Sequence, residues 1–356
     1  MLLVILSTVL LGGCPPALAG PSVAVVTDPL LTTGQADGQD DPAPVEDERS
    51  EGRGEWTTLL YDNGQKSAEG YIFKGRRDGK WKGWHQNGKP WYEGAYDNYT
   101  RIGTWKYWRT DGLPKTEGQW KSAKRHGSWK IWWEDSEQLA EEGSYLLGQR
   151  HGPFKFWFRT GVLRSEGEFL LGMRTGLWSS YDTEGNLLAV GPHLDGERNG
   201  NWVRYHKSGK KYFEGSFARG KENGTWTYWH GTGALEGRGK YERGLPVGPW
   251  VGYFENGQKR YECNYVGGTK VGRYRSWHKN GQKKVDTRLA GGKYAGDVTF
   301  WNDDGTIDME NSGTFVNGRK AGADKGKVGP QPAPGPRKIR KAGSDDEAAP
   351  GDGGGR

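Results

Sequence analysis

Seven histidines, two cysteines and a recurrent column of aromatic residues are the side chains of this 356-residue chain whose type and spacing bear on chemistry. The histidines raise the question of a metal. His85, His206, His230 and His278 hold the same place in four separate repeated segments, and His126 and His151 each precede the glycine that opens a segment. Zinc ligands lie about 2 Å from the ion, whereas adjacent two-stranded segments advance by about 10 Å. No metal, cofactor or catalytic residue is therefore predicted. Phosphate-binding Walker loops, strand-borne Gly-x-Ser-x-Gly, Cys-x-x-Cys and His-Glu-x-x-His are all missing from the sequence, and the chain reads as non-enzymatic.

The two cysteines read differently. Cys263 stands where most segments carry glycine and is expected to be a small packing residue. Cys14 ends an apolar run from Met1 that has the length of a signal-peptide core and is too short to span a membrane. Its last residues, Leu11-Gly12-Gly13-Cys14, resemble a bacterial lipobox. That resemblance implies lipidation of Cys14 and an exported, membrane-anchored protein of the outer membrane, periplasm or cell surface. Ala17-Leu18-Ala19 offers ordinary cleavage before Gly20, and hence secretion, as the alternative.

The elements that must position these residues follow from one period. Gly54, Gly79, Gly103, Gly127, Gly152, Gly176, Gly200, Gly224, Gly248, Gly272 and Gly296 recur at intervals of 24 or 25 residues, with Gly322 closing the series. Such a period marks a repeat array in which each unit buries its apolar face only against its neighbours. With the opening glycine as position 0, position 2 is aromatic in ten of eleven units, from Trp56 to Tyr274, and Val298 is the exception. Position 9 is glycine after a turn residue, as in Asn87-Gly88, Asp111-Gly112 and Asn256-Gly257, which signals a hairpin with a two-residue type I′ turn at positions 8 and 9. The fold class is all-β: an elongated single-layer antiparallel ribbon of about eleven tandem 24-residue β-hairpins, spanning 54–322.

A two-residue turn at positions 8 and 9 makes cross-strand partners sum to 17. Position 3 then faces position 14 in Lys82/Glu93, Lys106/Glu117, Lys155/Glu166 and Arg275/Asp286, and in Lys130/Glu142 after one inserted residue. Where the base is missing, at Ser179, the acid is missing too, at Val190; Val203/Glu214 and Val251/Glu262 are looser. The same sum sets the position 2 ring opposite position 15, a glycine at Gly94, Gly118, Gly167, Gly191, Gly215 and Gly239. A ring lying over its own cross-strand glycine compensates the weakness of glycine in a strand.

A further aromatic column at position 5 comprises Trp84, Trp108, Trp132, Trp157, Tyr181, Tyr205, Trp229, Tyr253, Trp277 and Trp301. Three residues separate it from position 2, so an unbroken strand sends the two columns to opposite faces. Position 5 is expected to be the wetter face and is the candidate binding ladder. Hydrophobic residues are only 33% of the chain, against about 45 to 50% in ordinary globular domains, which suits a thin sheet of aromatic plates better than a thick core. Residues 54–322 hold 42 basic and 31 acidic side chains, with no run of five or six bases, so no nucleic-acid footprint is predicted. Residues 1–19 read as signal peptide with lipobox, 20–53 as a disordered acidic linker without aromatics, and 323–356 as a disordered tail.

The recurring Gly-x-Trp, Asn/Asp-Gly, Glu-Gly-x-aromatic pattern, with a further glycine four before each new unit at Gly75, Gly148, Gly172 and their equivalents, resembles the variant MORN repeat of bacterial proteins. The same repeat occurs in the YwqK-type family labelled as antitoxins. The resemblance implies a β-hairpin ribbon acting in scaffolding, protein contact or membrane association. The expected partner is a protein at the cell envelope, reached by multivalent contact. The alternatives are a cell-wall glycan stacked on the position 5 rings, or a toxin. Ribbons are also expected to pair as homodimers, face to face or end to end.

Overall fold

Aromatic and β-branched residues alternating with small or charged ones form runs of eight or nine residues, and each such run is a strand. The computed structural model describes residues 52–322 and 330–336. These form one open sheet of 24 strands, β1 (Glu55–Leu60) to β24 (Arg319–Lys320), with consecutive strands antiparallel and no helix among the described residues. The single-layer hairpin ribbon expected from the period is what the chain adopts. The leader, Cys14 and most of the acidic linker lie outside the described residues. The linker's last residue belongs to the array: Arg53 donates its N–H to Asp78 at 2.7 Å and its guanidinium at 2.9 Å.

The within-hairpin register agrees with the sum of 17. Lys82 pairs with Glu93, Lys106 with Glu117, Lys130 with Glu142, and Trp81 and Trp105 with Gly94 and Gly118. The turn that produces it is not the expected one. His85 and Lys89 close a three-residue loop, in which His85 N–H donates to Lys89 O at 2.8 Å and Gly88 N–H to His85 O at 2.9 Å. Of Asn87 and Gly88 only the glycine has positive φ, +80°, so this is a type I turn followed by a left-handed glycine. The longer loop moves the register by one, and a bulge between positions 4 and 5, as at Gly83/Trp84, moves it back. Two departures thus cancel.

The type I′ turns lie at the opposite edge, between repeats. Lys74-Gly75, Leu147-Gly148, Leu171-Gly172 and Asn317-Gly318 each have both central residues at positive φ. There the N–H of the turn glycine donates to the carbonyl two residues past the preceding turn, as from Gly148 to Arg125 O at 2.7 Å and from Gly172 to Arg150 O at 2.8 Å.

The ring over glycine also differs from expectation. From Trp81 to Trp250, each position 2 ring lies over the corresponding glycine of the preceding hairpin, not of its own. A Cβ on Gly118 would stand 2.1 Å from the Trp129 ring, and one on Gly94 would stand 2.2 Å from Trp105. Both neighbouring glycines pair with the ring's residue, since Gly118 is the partner of Trp129 as well as of Trp105. The indole N–H breaks the symmetry. Trp81, Trp105, Trp129, Trp178, Trp202, Trp226 and Trp250 each donate to the carbonyl ten residues earlier, in the preceding hairpin, at 2.9–3.2 Å.

The rings then close on one another. Trp226 meets Phe217 of the hairpin before it edge-on at 5.0 Å and Tyr241 of its own hairpin at 5.7 Å, and is fully buried in a one-layer sheet. Trp56, in the first hairpin, has no predecessor and remains 53% exposed. Burial is therefore a property of adjacent hairpins rather than of any one hairpin.

Candidate functional site

Alternation along the strands divides the side chains into an aromatic face (positions 2, 4 and 17) and a charged face (positions 3, 5 and 14). The ten position 5 residues, Trp84 through Trp301, lie on the charged face and all are half-buried. Nine end their strands at the bulge, while Trp301 forms an isolated bridge with Ile307. Lysines of the preceding hairpin stand over four of these rings: Lys66 over Trp84 at 5.1 Å, Lys211 over Trp229 at 5.6 Å, Lys259 over Trp277 at 5.1 Å and Lys283 over Trp301 at 5.0 Å.

Position 6 side chains hold this column in register. Nε2 of His85, His206, His230 and His278 lies 2.8–3.1 Å from the position 5 carbonyl of the following hairpin. Tyr61 makes the equivalent bond to Trp84 O at 2.6 Å. Among the described residues no three His, Cys, Asp or Glu side chains are grouped to hold a metal ion. Cys263 is buried beside Tyr265 and Lys270, and burial pushes its thiol up to about 11, so at neutral pH it is a protonated packing group.

Exposed ion pairs flank the rings, with Lys82–Glu93 at 3.6 Å, Lys106–Glu117 at 3.3 Å and Lys130–Glu142 at 3.4 Å. At such exposure each contributes only about 0.2–1 kcal/mol. Arg275 faces Asp286 in the register as expected, but its guanidinium turns elsewhere. It bonds Glu262 of the preceding hairpin, and Arg273 takes Asp286 at 3.0 Å. This rearrangement borders a cleft of about 820 Å³ on the sheet, lined among others by Arg238, Lys240, Arg273 and Arg275 with Glu262 as its single carboxylate. Its charge favours an acidic ligand.

The aromatic face carries a second basic column that the sequence reading missed. Arg77, Arg101, Arg125, Arg150, Arg174 and Arg198, each two residues before an opening glycine, lie over the next position 2 ring at 4.3–5.5 Å. The spacing of these arginines was the available signal. Asp78 and Arg53 close the first repeat, and the Arg53 guanidinium with two backbone N–H groups holds the buried Asp78 carboxyl down at about 2.

The unit that repeats is thus a strand, a three-residue loop with glycine, a bulged return strand and a I′ turn. The profile of the MORN repeat variant matches three copies of it, at residues 77–98, 150–170 and 246–266. The chain carries MORN variant repeats. The matched stretches begin at the stacked basic column or its equivalent, at Arg77, Arg150 and Pro246, and the units between them have the same hairpin geometry. The three matches and the hairpins between them make this chain a repeat protein.

No curated protein matches the chain. Among solved structures, the crystal structure of TcdB2-TccC3-Cdc42 is 11% identical over 69% of this chain and 15% of that one, with a TM-score of 0.16. The Tc holotoxin pore of Photorhabdus luminescens is 9% identical over 70% and 15%, also at 0.16. The MORN chain spans about 15% of the length of these proteins, and neither fold nor function follows from likeness at that score.

Proposed function

We propose that this MORN-repeat chain is a non-enzymatic interaction scaffold of the cell envelope, tethered through a lipid on Cys14, whose charged face contacts a protein partner along several repeats. The observation that carries the reading is the position 5 column: half-exposed rings in ten successive hairpins, held in register by histidine and tyrosine stitches and flanked by exposed Lys/Glu pairs. Rings at one place in every repeat let modest contacts sum, because each engaged hairpin presents the next at high effective concentration. The cleft lined by Arg238, Lys240, Arg273 and Arg275 is the part of this face best suited to an acidic segment of the partner.

A glycan partner is less well supported, since lysines occupy one side of the Trp84, Trp229, Trp277 and Trp301 rings that a sugar would need. Capture from solubilised membranes followed by mass spectrometry is the direct test. Trp108→Ala with Trp132→Ala is expected to reduce recovery of one membrane protein by about tenfold while circular dichroism is unchanged. Equal recovery with the double variant, or loss of retention on purified peptidoglycan instead, refutes the protein-partner reading. Palmitate incorporation into the wild type that disappears in Cys14→Ser supports the tether; incorporation unaffected by that change eliminates it.

A further inference from the structure

Residues 330–336, Pro-Gln-Pro-Ala-Pro-Gly-Pro, belong to the tail that composition reads as disordered, yet they follow a defined path over the aromatic face. Ala333 is the anchor. Its N–H donates to Tyr274 Oη at 2.8 Å, its carbonyl accepts from Lys270 Nζ, and its methyl packs against the buried aromatic cluster. Two residues on, Gly335 passes so near Tyr265 that a Cβ there would stand 2.5 Å from the phenol oxygen. The non-proline residues thus fall where the site needs them: a donor at 333 and no side chain at 335. The four prolines favour the extended polyproline conformation, which leaves the backbone carbonyls open to outside donors and loses little entropy on docking.

The receiving surface is specialised. From Trp81 to Trp202 an arginine covers each position 2 ring, but the equivalent residues here are Glu222, Pro246 and Lys270. The position 2 ring here is a tyrosine, Tyr274, whose hydroxyl accepts from the chain above it, and the position 17 ring of the hairpin before it, Tyr265, brings a second hydroxyl beneath Gly335. Lys270 is only 9% exposed and stands 5.4–6.0 Å over the rings of Tyr261, Tyr265 and Tyr274. A buried ammonium needs an acceptor, and the Ala333 carbonyl supplies one.

We propose that Tyr265, Lys270 and Tyr274 form a binding site for an extended proline-rich chain, occupied in cis by Pro330–Pro336. This site lies on the face opposite the position 5 column and is independent of the scaffold reading. A proline-rich segment of matching form would compete with the internal one, so the strap regulates access to the aromatic face.

A fluorescently labelled synthetic peptide with the sequence of residues 329–337 tests this on the full chain by anisotropy. A cis ligand acts at an effective concentration on the order of millimolar, so weakening the strap should tighten peptide binding by about tenfold or more. Ala333→Pro with Gly335→Val does this by removing the donor and placing a side chain against Tyr265, with the array untouched. Adding Tyr274→Phe, which keeps the ring and removes the acceptor, should weaken peptide binding again. The proposal is overturned if the strap variant binds the peptide no more tightly than the wild type. It is equally overturned if a peptide carrying the glycine-to-valine change binds as well as the native one. Sedimentation showing that the wild type is a strap-exchanged dimer would overturn the cis assignment.

Discussion

Gly118→Ala tests the stitch between repeats. The backbone at Gly118 is not in the left-handed region, so alanine meets no conformational barrier there; the obstacle is the Trp129 ring, 2.1 Å from the new Cβ. The ring must move, which strains a packed face by about 1–3 kcal/mol. Movement also lengthens the 2.9 Å bond from Trp129 Nε1 to Gln119 O, worth about 1 kcal/mol. It further disturbs the edge-on contact with Trp120 at 5.4 Å, worth about 0.5–1.5 kcal/mol. The expected loss is about 3–5 kcal/mol.

Gly103→Ala is the control, because nothing lies within 4 Å of its new Cβ and only its φ of +62° opposes the change, at about 1–2 kcal/mol. Urea unfolding followed by tryptophan fluorescence and circular dichroism measures both. A double-mutant cycle identifies the ring. With Trp129→Ala in place the alanine at 118 should become nearly neutral, a coupling of about 2 kcal/mol or more, whereas Trp105→Ala should leave its cost unchanged. Coupling to Trp105 in place of Trp129, or equal losses at 118 and 103, would refute the assignment of rings to the preceding hairpin. A fall in m accompanying Gly118→Ala would show the array separating at that boundary.

At the first repeat, the Asp78 carboxyl is held at about 2 against an ordinary 3.8, which stabilises the folded state by about 2 kcal/mol above pH 4. Because the folded value is the lower one, this contribution is lost as pH falls from 3.8 through 2; the stability difference between wild type and Asp78→Asn should therefore shrink by about 2 kcal/mol between pH 6 and pH 2. A pH-independent difference in urea unfolding would contradict it. At the turns between repeats, Leu171 holds a φ of +48° while 48% exposed. Leu171→Asn, the residue type found at Asn317 in the same turn, should raise the unfolding free energy by about 1 kcal/mol, and a loss of stability would count against the strain.

Much of this was legible in the chain. The 24-residue period, the opposed faces of positions 2 and 5, the pairs Lys82/Glu93 and Lys106/Glu117, and the small residue at Cys263 all follow from repetition of a local pattern. The register was right although the turn was wrong, because an extra loop residue and a bulge cancel in the sum that the sequence exposes. The inter-repeat ring contact also left a trace that within-hairpin reading passed over. Position 15 is glycine before Trp or Phe of the next hairpin, Cys263 before the smaller Tyr274, and Thr287 before Val298. The stacked arginines at Arg77 to Arg198 left their own spacing.

The sequence by itself determined the repeat, the strand alternation and which residues share a face, since these depend on the chain's local period. Only the tertiary structure decided which neighbour each ring covers, because Trp129 pairs with a glycine on either side and the choice rests on where its indole N–H finds an acceptor. It also decided the place of Pro330–Pro336. A composition unable to form its own core reads as unstructured, and its order comes from Tyr265, Lys270 and Tyr274 some sixty residues away, where one donor, one acceptor and one glycine meet a surface the local sequence does not contain.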